Sequence, residues 1–311
     1  MMRDKKSTLD VCILGLGYIG LPTASLLATK GFRVCGVDIN DTLIHDLRHG
    51  KCSIYEPALD VMVKSALQSG NLTADTKPSE ADIFIICVPT PFTSGHTPDL
   101  HYVKAAATSI APLLRNGNLV ILESTVPVGA TEKMAGILAE MRPDLRIGQN
   151  CSGNSVPVYV VHCPERVLPG HILHELVEND RVVGGIDRDS TRKGVAFYRS
   201  FVSGNVQGTD SRTAEMIKLT ENSFRDVNIA FANELSLICE ELGLDVWEVV
   251  ALANRHPRVN ILQPGAGVGG HCIAVDPWFL VDSAPQTTRL IRVAREVNDS
   301  KPENIVAHTL S

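Results

Sequence analysis

One cysteine near the end of the chain follows a run of glycines. The segment from Pro264 to Phe279 reads PGAGVGGHCIAVDPWF and places four glycines shortly before Cys272. Glycine permits positive φ and lets the main chain approach a ligand closely. A nucleophilic thiolate needs access and nearby amide donors, whereas a buried structural cysteine needs no such approach. The pattern therefore favours Cys272 as a nucleophile, with an inert thiol as the alternative.

A glycine-rich turn near the start of the chain predicts a dinucleotide site. The motif GLGYIG at residues 15–20 follows the apolar run Val11–Leu14 and precedes a stretch with helical spacing. Such glycines let a pyrophosphate reach the helix N-terminus, where amides and the helix dipole favour negative charge. Asp38 ends the next apolar run at the offset typical of a ribose-binding acid. Because Ile39 and Asn40 follow it rather than an arginine, the sequence favours NAD over NADP.

Two further loops are expected beside this cofactor. Apolar runs at 81–88 and 118–122 each end in a short polar or proline-rich loop. In a doubly wound sheet such loops lie at the carboxyl ends of the strands, where cofactor and substrate meet. The alternative is that these loops only end the strands and bind nothing. The residues predicted to contact the cofactor are Gly15, Gly17, Tyr18, Ile19, Gly20, Asp38, Val88, Pro89, Thr90, Ser124 and Thr125.

A nucleophilic cysteine beside a nicotinamide suggests oxidation through a thiohemiacetal, which becomes a thioester that water must hydrolyse. The hydrolysis needs a base, and Glu165 at the end of a predicted inner strand is the candidate. Lys218 and Asn222, one helical turn apart, could stabilise an oxyanion. Asp276, one turn after the cysteine, could orient the lysine or carry a proton. The plainer alternatives are a capping or ion-paired acid at Glu165 and a solvated helix face at Lys218 and Asn222.

The elements that carry these residues are of two kinds. In the first part of the chain, short apolar runs alternate with helical spacing, which predicts an α/β fold with a Rossmann-type doubly wound parallel sheet. From Thr213 to Leu242 neither glycine nor proline occurs, and Phe224, Phe231 and Ile238 fall on heptad spacing. This predicts one long helix with a continuous apolar stripe, of the kind that commonly spans a dimer core. We therefore expect an all-α dimerisation domain and a homodimer.

Length, charge and cysteine usage narrow the possible classes of protein. A chain of 311 residues exceeds the usual size of one domain, so two are expected. The net charge of -6, without a block of like charge, gives no indication of nucleic acid or membrane as a partner. No Cys-x-x-Cys spacing occurs, so we expect reduced thiols and no metal site. With neither a signal-peptide core nor a spanning segment, a cytoplasmic location is expected.

Seven motifs spread along the chain match one known enzyme family. They are Gly15–Pro22, Val88–Pro91, Glu123–Gly129, Cys163–Gly170, Lys218–Asp226, His256–Asn260 and the segment around Cys272. Together they resemble the UDP-glucose/GDP-mannose dehydrogenase family of nucleotide-sugar 6-dehydrogenases, over essentially the whole chain. The residues of the last two motifs are most similar to those of the branch that oxidises UDP-N-acetyl-D-mannosamine to its uronate for bacterial surface polysaccharides.

The resemblance implies a set of catalytic roles. The residues implied to be catalytic are Cys272, Glu165, Lys218, Asn222, Asp276 and Thr125. The cysteine would be the nucleophile, and Glu165 the base that hydrolyses the thioester with a water that Thr125 helps to place. The other three residues would carry the proton transfers and stabilise the oxyanions.

A substrate site and a dimer are implied in the same way. The residues implied to bind the UDP-sugar are Glu165, Arg166, Val167, Leu168, Lys218, Asn222, Arg258, Gly265 and Gly269. Of these, Arg258 would reach the substrate of the neighbouring subunit. The homodimer would then be a functional requirement.

The chain departs from the family pattern in two ways. Ala266 stands where the branch often has proline, a change that could loosen the loop. Family members also continue into a third, C-terminal α/β domain that binds much of the UDP moiety, and we expect this chain to lack it. The expected organisation is an NAD-binding Rossmann-type domain at 1–205, a helical central and dimerisation domain at 206–300, and the start of a linker at 301–311.

Two other functions are consistent with parts of the pattern. A two-electron dehydrogenase of the hydroxyacid type shares a Rossmann domain followed by a helical dimer domain, but it gives Cys272 and Glu165 no task. The second alternative is a catalytically weak or inactive NAD-binding dimerisation module that cannot hold its sugar nucleotide.

Overall fold

The computed structural model describes residues 10–93, 95–148, 156–270 and 272–310, so His271 of the cysteine motif lies outside the described residues. Contacts between residues divide the chain into two compact units. The first unit contains the residues up to Thr90 together with Leu100–Glu215, and the second contains Pro91–Asp99 together with the residues from Met216 onward.

The first unit is built on a sheet. Its described strands are β1 (Asp10–Leu14), β2 (Arg33–Val37), β3 (Leu72–Asp75), β4 (Ile83–Ile86), β5 (Leu119–Leu122), β6 (Tyr159–His162), β7 (Arg181–Gly185) and β8 (Val206–Asp210). They lie side by side in the order β3-β2-β1-β4-β5-β6-β7-β8. Neighbouring strands are parallel, except that β6 and β7 are antiparallel. The predicted Rossmann-type α/β fold is confirmed, with β7 and β8 running opposite to the other strands.

Helices cover this sheet on both faces. They are α1 (Gly20–Thr29), α2 (Asp41–Arg48), α3 (Leu59–Gln68), α4 (His101–Ile110), α5 (Ala130–Met141), α6 (Ile172–Glu178) and α7 (Arg188–Tyr198). Successive side chains of a strand point to opposite faces. Val11 and Ile13 of β1 therefore belong to the core that contains α1 and α3, while Cys12 and Leu14 belong to the core that contains α4 and α5. Burial on both faces explains why these strands are continuous apolar runs.

The order of the strands fixes where a ligand can bind. The chain passes from β1 outward to β2 and β3, then returns to the other side of β1 at β4. In open α/β sheets, ligands bind outside the carboxyl ends of the strands at such a reversal. The residues that directly follow β1, β4, β5 and β6 are Gly15, Cys87, Glu123 and Cys163. The predicted cofactor residues and Glu165 therefore cluster at this edge.

The second unit is helical in its described residues, apart from an isolated bridge between Phe92 and Pro98. Its helices are α8 (Ser211–Glu241), which begins in the first unit, α9 (Val246–Ala253), α10 (Asp276–Ser283) and α11 (Arg289–Leu310). The sequence predicts a helix from Thr287 to Asn298 and the start of another near the end of the chain, but α11 is one helix that continues through Pro302. A proline within a helix removes one N–H and one hydrogen bond, and here the helix persists past that loss. Among all the helices described, none is both long and apolar enough to cross a bilayer.

Candidate active site

The GLGYIG motif forms a tight turn between β1 and α1. Gly15 has φ of +90°, and a Cβ there would lie 2.5 Å from the Cys87 carbonyl oxygen. A Cβ at Gly20 would overlap the Gly15 carbonyl, so the first and third glycines are required by the packing of the turn. Around Gly17, by contrast, a Cβ would meet no described atom within 4 Å. The middle glycine thus leaves backbone open to a ligand at the start of α1.

Asp38 lies across this turn at the end of β2. Its Oδ2 accepts a hydrogen bond from Leu16 N (2.9 Å) and its Oδ1 accepts one from Asn40 N (3.0 Å). Each carboxylate oxygen can accept a further bond, so the two hydroxyls of a ribose can still be bound. Ile19 precedes α1, and the exposed Tyr18 donates its hydroxyl to a carbonyl of a neighbouring loop. An open glycine backbone, a helix N-terminus and an acid beside them fit a dinucleotide.

The loops that follow β4 and β5 are joined to each other. Thr90 Oγ1 donates to the Thr125 carbonyl oxygen (2.6 Å), and Ser124 Oγ donates to the Val88 carbonyl oxygen (2.7 Å). Pro89, between the two bonded residues, is exposed. These hydrogen bonds hold the two predicted cofactor loops together at the carboxyl edge of the sheet.

Glu165 follows β6 and forms a buried ion pair. Its Oε2 lies 2.6 Å from Arg181 Nη1, and both side chains are buried. Its Oε1 accepts a hydrogen bond from Arg166 N (2.8 Å). The sequence offered an ion-paired surface acid as the plainer alternative for Glu165, and the structure instead has the ion pair in the interior. Arg181 comes from β7, and no local pattern in the sequence marks it as the partner of Glu165.

A second buried acid, Glu123, lies beside this pair. It accepts hydrogen bonds from Tyr198 Oη (2.5 Å) and from Cys87 Sγ (3.2 Å). Burial and the charge of Glu165 raise the pKa of Glu123, while Arg181 acts in the opposite direction. Glu123 was not predicted to have a role, although an acid that directly follows a continuous apolar strand is a signal that could have identified it.

The residues after Glu165 are held by two acidic side chains and one backbone carbonyl. Leu168 N donates to Glu175 Oε2 (2.7 Å), and Gly170 N and Ile172 N both donate to the buried Glu56 (2.8 Å each). The Arg166 guanidinium donates to the Asp180 carbonyl oxygen. Within this segment Arg166 and Val167 are half-buried and Leu168 is exposed. The segment implied to bind the substrate is therefore ordered by its own backbone hydrogen bonds.

The second unit brings four of the predicted catalytic residues together. Asn222 Nδ2 donates to Asp276 Oδ2, and Asp276 N donates to the Cys272 carbonyl oxygen (2.9 Å). Burial raises the pKa of Asp276 to about 6, although the Asn222 hydrogen bond and the charge of Lys218 oppose this. Hydrogen bonds therefore connect Asn222, Asp276 and Cys272, and the charge of Lys218 acts on both Asp276 and Cys272.

The thiol of Cys272 is accessible but not activated. The residue is exposed. Partial burial of the thiol raises the pKa of Cys272 and Asp276 adds to this, while Lys218 and Arg225 act in the opposite direction. A thiol with a raised pKa is neutral at pH 7, and the thiolate is the nucleophile. Reaction at Cys272 therefore needs an acceptor for its proton.

The glycines before Cys272 leave backbone exposed. A Cβ at Gly265 or Gly269 would meet no described atom within 4 Å. Gly265 N donates to Asn233 Oδ1 (2.8 Å), a contact that the sequence analysis did not foresee. Ala266, where the family branch often has proline, is exposed, and so is Arg258. Thr125 and Glu165 belong to the first unit, and the residues around Cys272 belong to the second.

Comparison with known proteins gives one consistent family. The NAD binding domain of the UDP-glucose/GDP-mannose dehydrogenase family matches residues 9–202, and the central domain of that family matches residues 212–300. The chain is 60% identical over 296 residues to the UDP-N-acetyl-D-mannosamine dehydrogenase of Salmonella typhi, covering 95% of this chain and 70% of the relative. It is 57% identical, with the same coverage, to the NDP-N-acetyl-D-galactosaminuronic acid dehydrogenase of Ralstonia nicotianae.

A solved structure agrees with these relatives. The UDP-D-ManNAc dehydrogenase of Pyrococcus horikoshii is similar with a TM-score of 0.88 and 43% identity, over 96% of this chain and 70% of that one. The two matched domains cover most of the sequence and follow each other in the family's order. The chain therefore belongs to the UDP-glucose/GDP-mannose dehydrogenase family, and its first unit is an NAD-binding domain of that family.

Proposed function

We propose that the chain oxidises the C6 hydroxyl of a UDP-sugar to the carboxylate in two NAD-dependent steps, through a thiohemiacetal and a thioester on Cys272. The observation that carries the proposal is the group formed by Cys272, Lys218, Asn222 and Asp276 in the second unit. A covalent oxidation of an aldehyde requires a thiol, donors for the oxyanion and a carboxyl group whose pKa is near neutral pH. A dehydrogenase without a covalent step would leave Cys272 without a role.

The substrate we propose is UDP-N-acetyl-D-mannosamine. The relative that is 60% identical and the similar solved structure both carry that sugar in their names, and the 57% identical relative is named for another N-acetylated sugar. An N-acetylated UDP-sugar is therefore better supported than UDP-glucose. The family resemblance supports the product, a UDP-uronate, as a precursor of bacterial surface polysaccharide.

The first part of the mechanism concerns the thiol. The glycine turn and Asp38 would hold NAD, which would supply the hydride acceptor for both oxidations. The sulfur of Cys272 bonds to the aldehyde carbon, and the carbonyl electron pair moves onto the oxygen. Asp276, with a pKa of about 6, is suited to take the thiol proton. The oxyanion can be stabilised by the Lys218 ammonium and by Asn222. The Asn222 amide has two N–H groups, and its bond to Asp276 uses only one of them.

The second part is hydrolysis of the thioester. We assign Glu165 as the base that removes a proton from water, with Thr125 helping to place that water. The water oxygen attacks the thioester carbon, the carbon–sulfur bond breaks, and the thiolate leaves and is reprotonated. Within the described residues, each oxygen of Glu165 accepts one hydrogen bond, from Arg166 N or from Arg181, and a carboxylate oxygen can accept two. The buried ion pair therefore orients Glu165 without using all of its capacity as an acceptor.

We also propose that the protein is a homodimer that forms through α8. Phe224, Phe231 and Ile238 lie along one stripe of this helix and are 69%, 56% and 47% exposed in the single chain. Large contiguous apolar surfaces are uncommon on monomers and mark sites of association. A second copy of the chain would bury the stripe. Arg258, exposed in the single chain, would then be available to the substrate of the neighbouring subunit.

The amount of NADH formed tests the oxidation directly. The protein is mixed with NAD and each of a panel of UDP-sugars, and NADH and sugar products are counted together. The covalent route predicts two NADH for each UDP-sugar consumed and a uronate as the product. One NADH for each sugar, with an aldehyde or ketone as the product, would instead favour a two-electron dehydrogenase. Cys272→Ala is the matched variant and should form no uronate.

A further inference from the structure

The interior of the second unit contains a chain of polar side chains. Asp226 and Asn233 on α8 and Arg295 and Asn298 on α11 are all fully buried, at 0% exposure. Burying polar and charged groups costs free energy unless they are paired and hydrogen-bonded. None of these four residues belongs to the candidate active site. Their contacts show what they hold in place.

Hydrogen bonds connect Arg295 to the backbone of the cysteine segment, and the donors on both sides converge on Asp226. Arg295 Nη1 donates to Asp226 Oδ1 (2.6 Å), which also accepts from Asn298 Nδ2 (2.8 Å). Asn298 Oδ1 then accepts from Asn233 Nδ2 (2.8 Å), and Asn233 Oδ1 accepts from Gly265 N (2.8 Å). Because a guanidinium can only donate and a carboxylate can only accept, the ion pair sets the orientation of both amides. The free end of the chain is thus an acceptor for the Gly265 N–H.

The same face of α8 holds the other end of the cysteine segment. We define the cysteine segment as residues 265–270 and 272–276. Asn222, Asp226 and Asn233 fall within about 40° of one another around a helix of 3.6 residues per turn. Asn222 bonds to Asp276 and Asn233 bonds to Gly265. The segment is therefore attached to α8 at both ends, at points roughly 16 Å apart along the helix, with Cys272 between them.

A close contact with α11 adds a third attachment. Gly267 has φ of +113°, and a Cβ there would lie 2.9 Å from the Asn298 carbonyl oxygen and 3.0 Å from Pro302 Cδ. A residue at position 302 would normally donate its N–H to that carbonyl, but proline has none. The Asn298 carbonyl is therefore free of its helix bond at the place where Gly267 packs against it. Asn298 thus supports the cysteine segment twice, with its side chain through Asn233 and with its backbone carbonyl at Gly267.

We propose that Asn233 is a positioning residue, which fixes the cysteine segment through Gly265 and so holds Cys272 beside Asp276 and Lys218. The proposal rests on the proposed role of Cys272 as the nucleophile. Without the Asn233 acceptor, the Gly265 N–H loses its partner and the segment remains attached only at Asp276 and by packing. Cys272 would then sample positions away from the group that takes its proton, and turnover would fall although Asn233 is separate from the reacting atoms.

The test compares Asn233→Ala with Asn304→Ala, which removes the same amide from a half-buried position of α11. Hydrogen exchange is followed in peptides that cover residues 262–275, together with kcat and the KM for NAD. We expect Asn233→Ala to exchange about tenfold faster in this segment and to lose about tenfold in kcat, the factor that corresponds to one hydrogen bond. Its KM for NAD should stay within about twofold, since the residues predicted to hold NAD belong to the first unit. Asn304→Ala should behave as the unmutated protein.

Unchanged exchange in Asn233→Ala, or faster exchange with an unchanged kcat, would overturn the proposal. If Asn233→Ala does not fold, hydrogen exchange of the unmutated protein tests the contact instead. The Gly265 amide should then be protected to the level of the α8 amides around Asn233, and free exchange at Gly265 would refute the contact. Hydrogen exchange does not depend on the role of Cys272, whereas an unreactive Cys272 would be revealed separately by uronate formation in Cys272→Ala.

Discussion

Asn222 donates its side-chain N–H to Asp276, and both residues are buried. The bond joins α8 to the first residue of α10 and holds a carboxylate one helical turn after Cys272. Burial raises the pKa of that carboxylate to about 6. At neutral pH the protein therefore keeps a charged carboxylate in a place that disfavours charge, so the ionisation that the proposed chemistry needs lowers the stability of the fold.

The free energy of unfolding should depend on pH because the pKa of Asp276 is raised in the folded protein. Aspartate in an unfolded chain has a pKa of about 3.9. Between about pH 4 and pH 6 the folded protein binds a proton that the unfolded chain has released, so the free energy of unfolding falls as pH rises through this window. Asp276→Asn removes the charge and keeps an acceptor for Asn222. It should raise the free energy of unfolding by about 1–3 kcal/mol at pH 8 and by little at pH 4.

Urea unfolding at the two pH values measures this effect. Asp282→Asn, at an exposed position of the same helix, is the control and should change stability little at either pH. A destabilised Asp276→Asn protein at pH 8, or an equal gain at pH 4, would contradict the assignment.

Glu165→Gln should stop the reaction at the thioester. Without a base for water, the second oxidation can occur but the product stays attached to Cys272. Intact-mass spectrometry after mixing with NAD and UDP-sugar should show a sugar nucleotide on Cys272 that hydroxylamine removes. Because Glu165 pairs with the buried Arg181, the variant should also be less stable, and unchanged NAD binding serves as the check on folding.

Cys272→Ala completes this test. It should form no adduct and no uronate, since the aldehyde has no thiol to bond with. Near-normal uronate formation by Cys272→Ala would refute the covalent route and favour oxidation of the hydrated aldehyde. A Glu165→Gln protein that turns over at the normal rate would assign the base elsewhere.

NAD should bind more tightly than NADP, because Asp38 places a carboxylate where a 2′-phosphate would lie. Asp38→Ala should weaken NAD binding by about tenfold or more, since one charged acceptor serves the ribose and also holds Leu16 N and Asn40 N. Titration by calorimetry with both cofactors measures this. Asp41→Ala, an exposed acid nearby with the same change of charge, should leave NAD affinity unchanged. Equal or tighter binding of NADP would disprove the preference.

The apolar stripe of α8 predicts the oligomeric state. Phe231→Asp places a charge at the centre of the proposed interface, and an unpaired buried charge costs several kcal/mol. Light scattering should show a dimer for the unmutated protein and a monomer for Phe231→Asp. Phe231→Leu keeps the apolar surface and should remain dimeric. If the unmutated protein is a monomer at micromolar concentration, the interface and the cross-subunit role of Arg258 are both wrong.

The elements that could be predicted from sequence are those with a local signal. The β1 turn was predictable because Gly15 and Gly20 are needed by the packing of the turn itself, within a few residues. Helix α8 was predictable because its apolar spacing is continuous. The extent of α11 was not, since Pro302 is a helix-breaking residue and only the packing of α11 on the rest of its unit decides whether the helix continues past it.

The partners of the candidate catalytic residues could not be predicted. Glu165 and Arg181 are brought together by the antiparallel pairing of β6 with β7. The contact of Asn233 with Gly265 joins residues 32 positions apart. Such contacts depend on how elements pack rather than on the spacing of residue types. Sequence patterns therefore predicted the candidate catalytic side chains, and the structure was needed to identify what holds them.

The raised pKa of Cys272 also affects the enzyme when no substrate is bound. Of the cysteines in the described part of the chain, Cys272 alone is exposed, so an oxidant that can reach any of them reaches this one first. Peroxides attack the thiolate, and a neutral thiol reacts slowly. Partial burial and the charge of Asp276 keep Cys272 protonated. The same electrostatics that make the proposed reaction of Cys272 depend on a proton acceptor should also slow its oxidation when no substrate is bound.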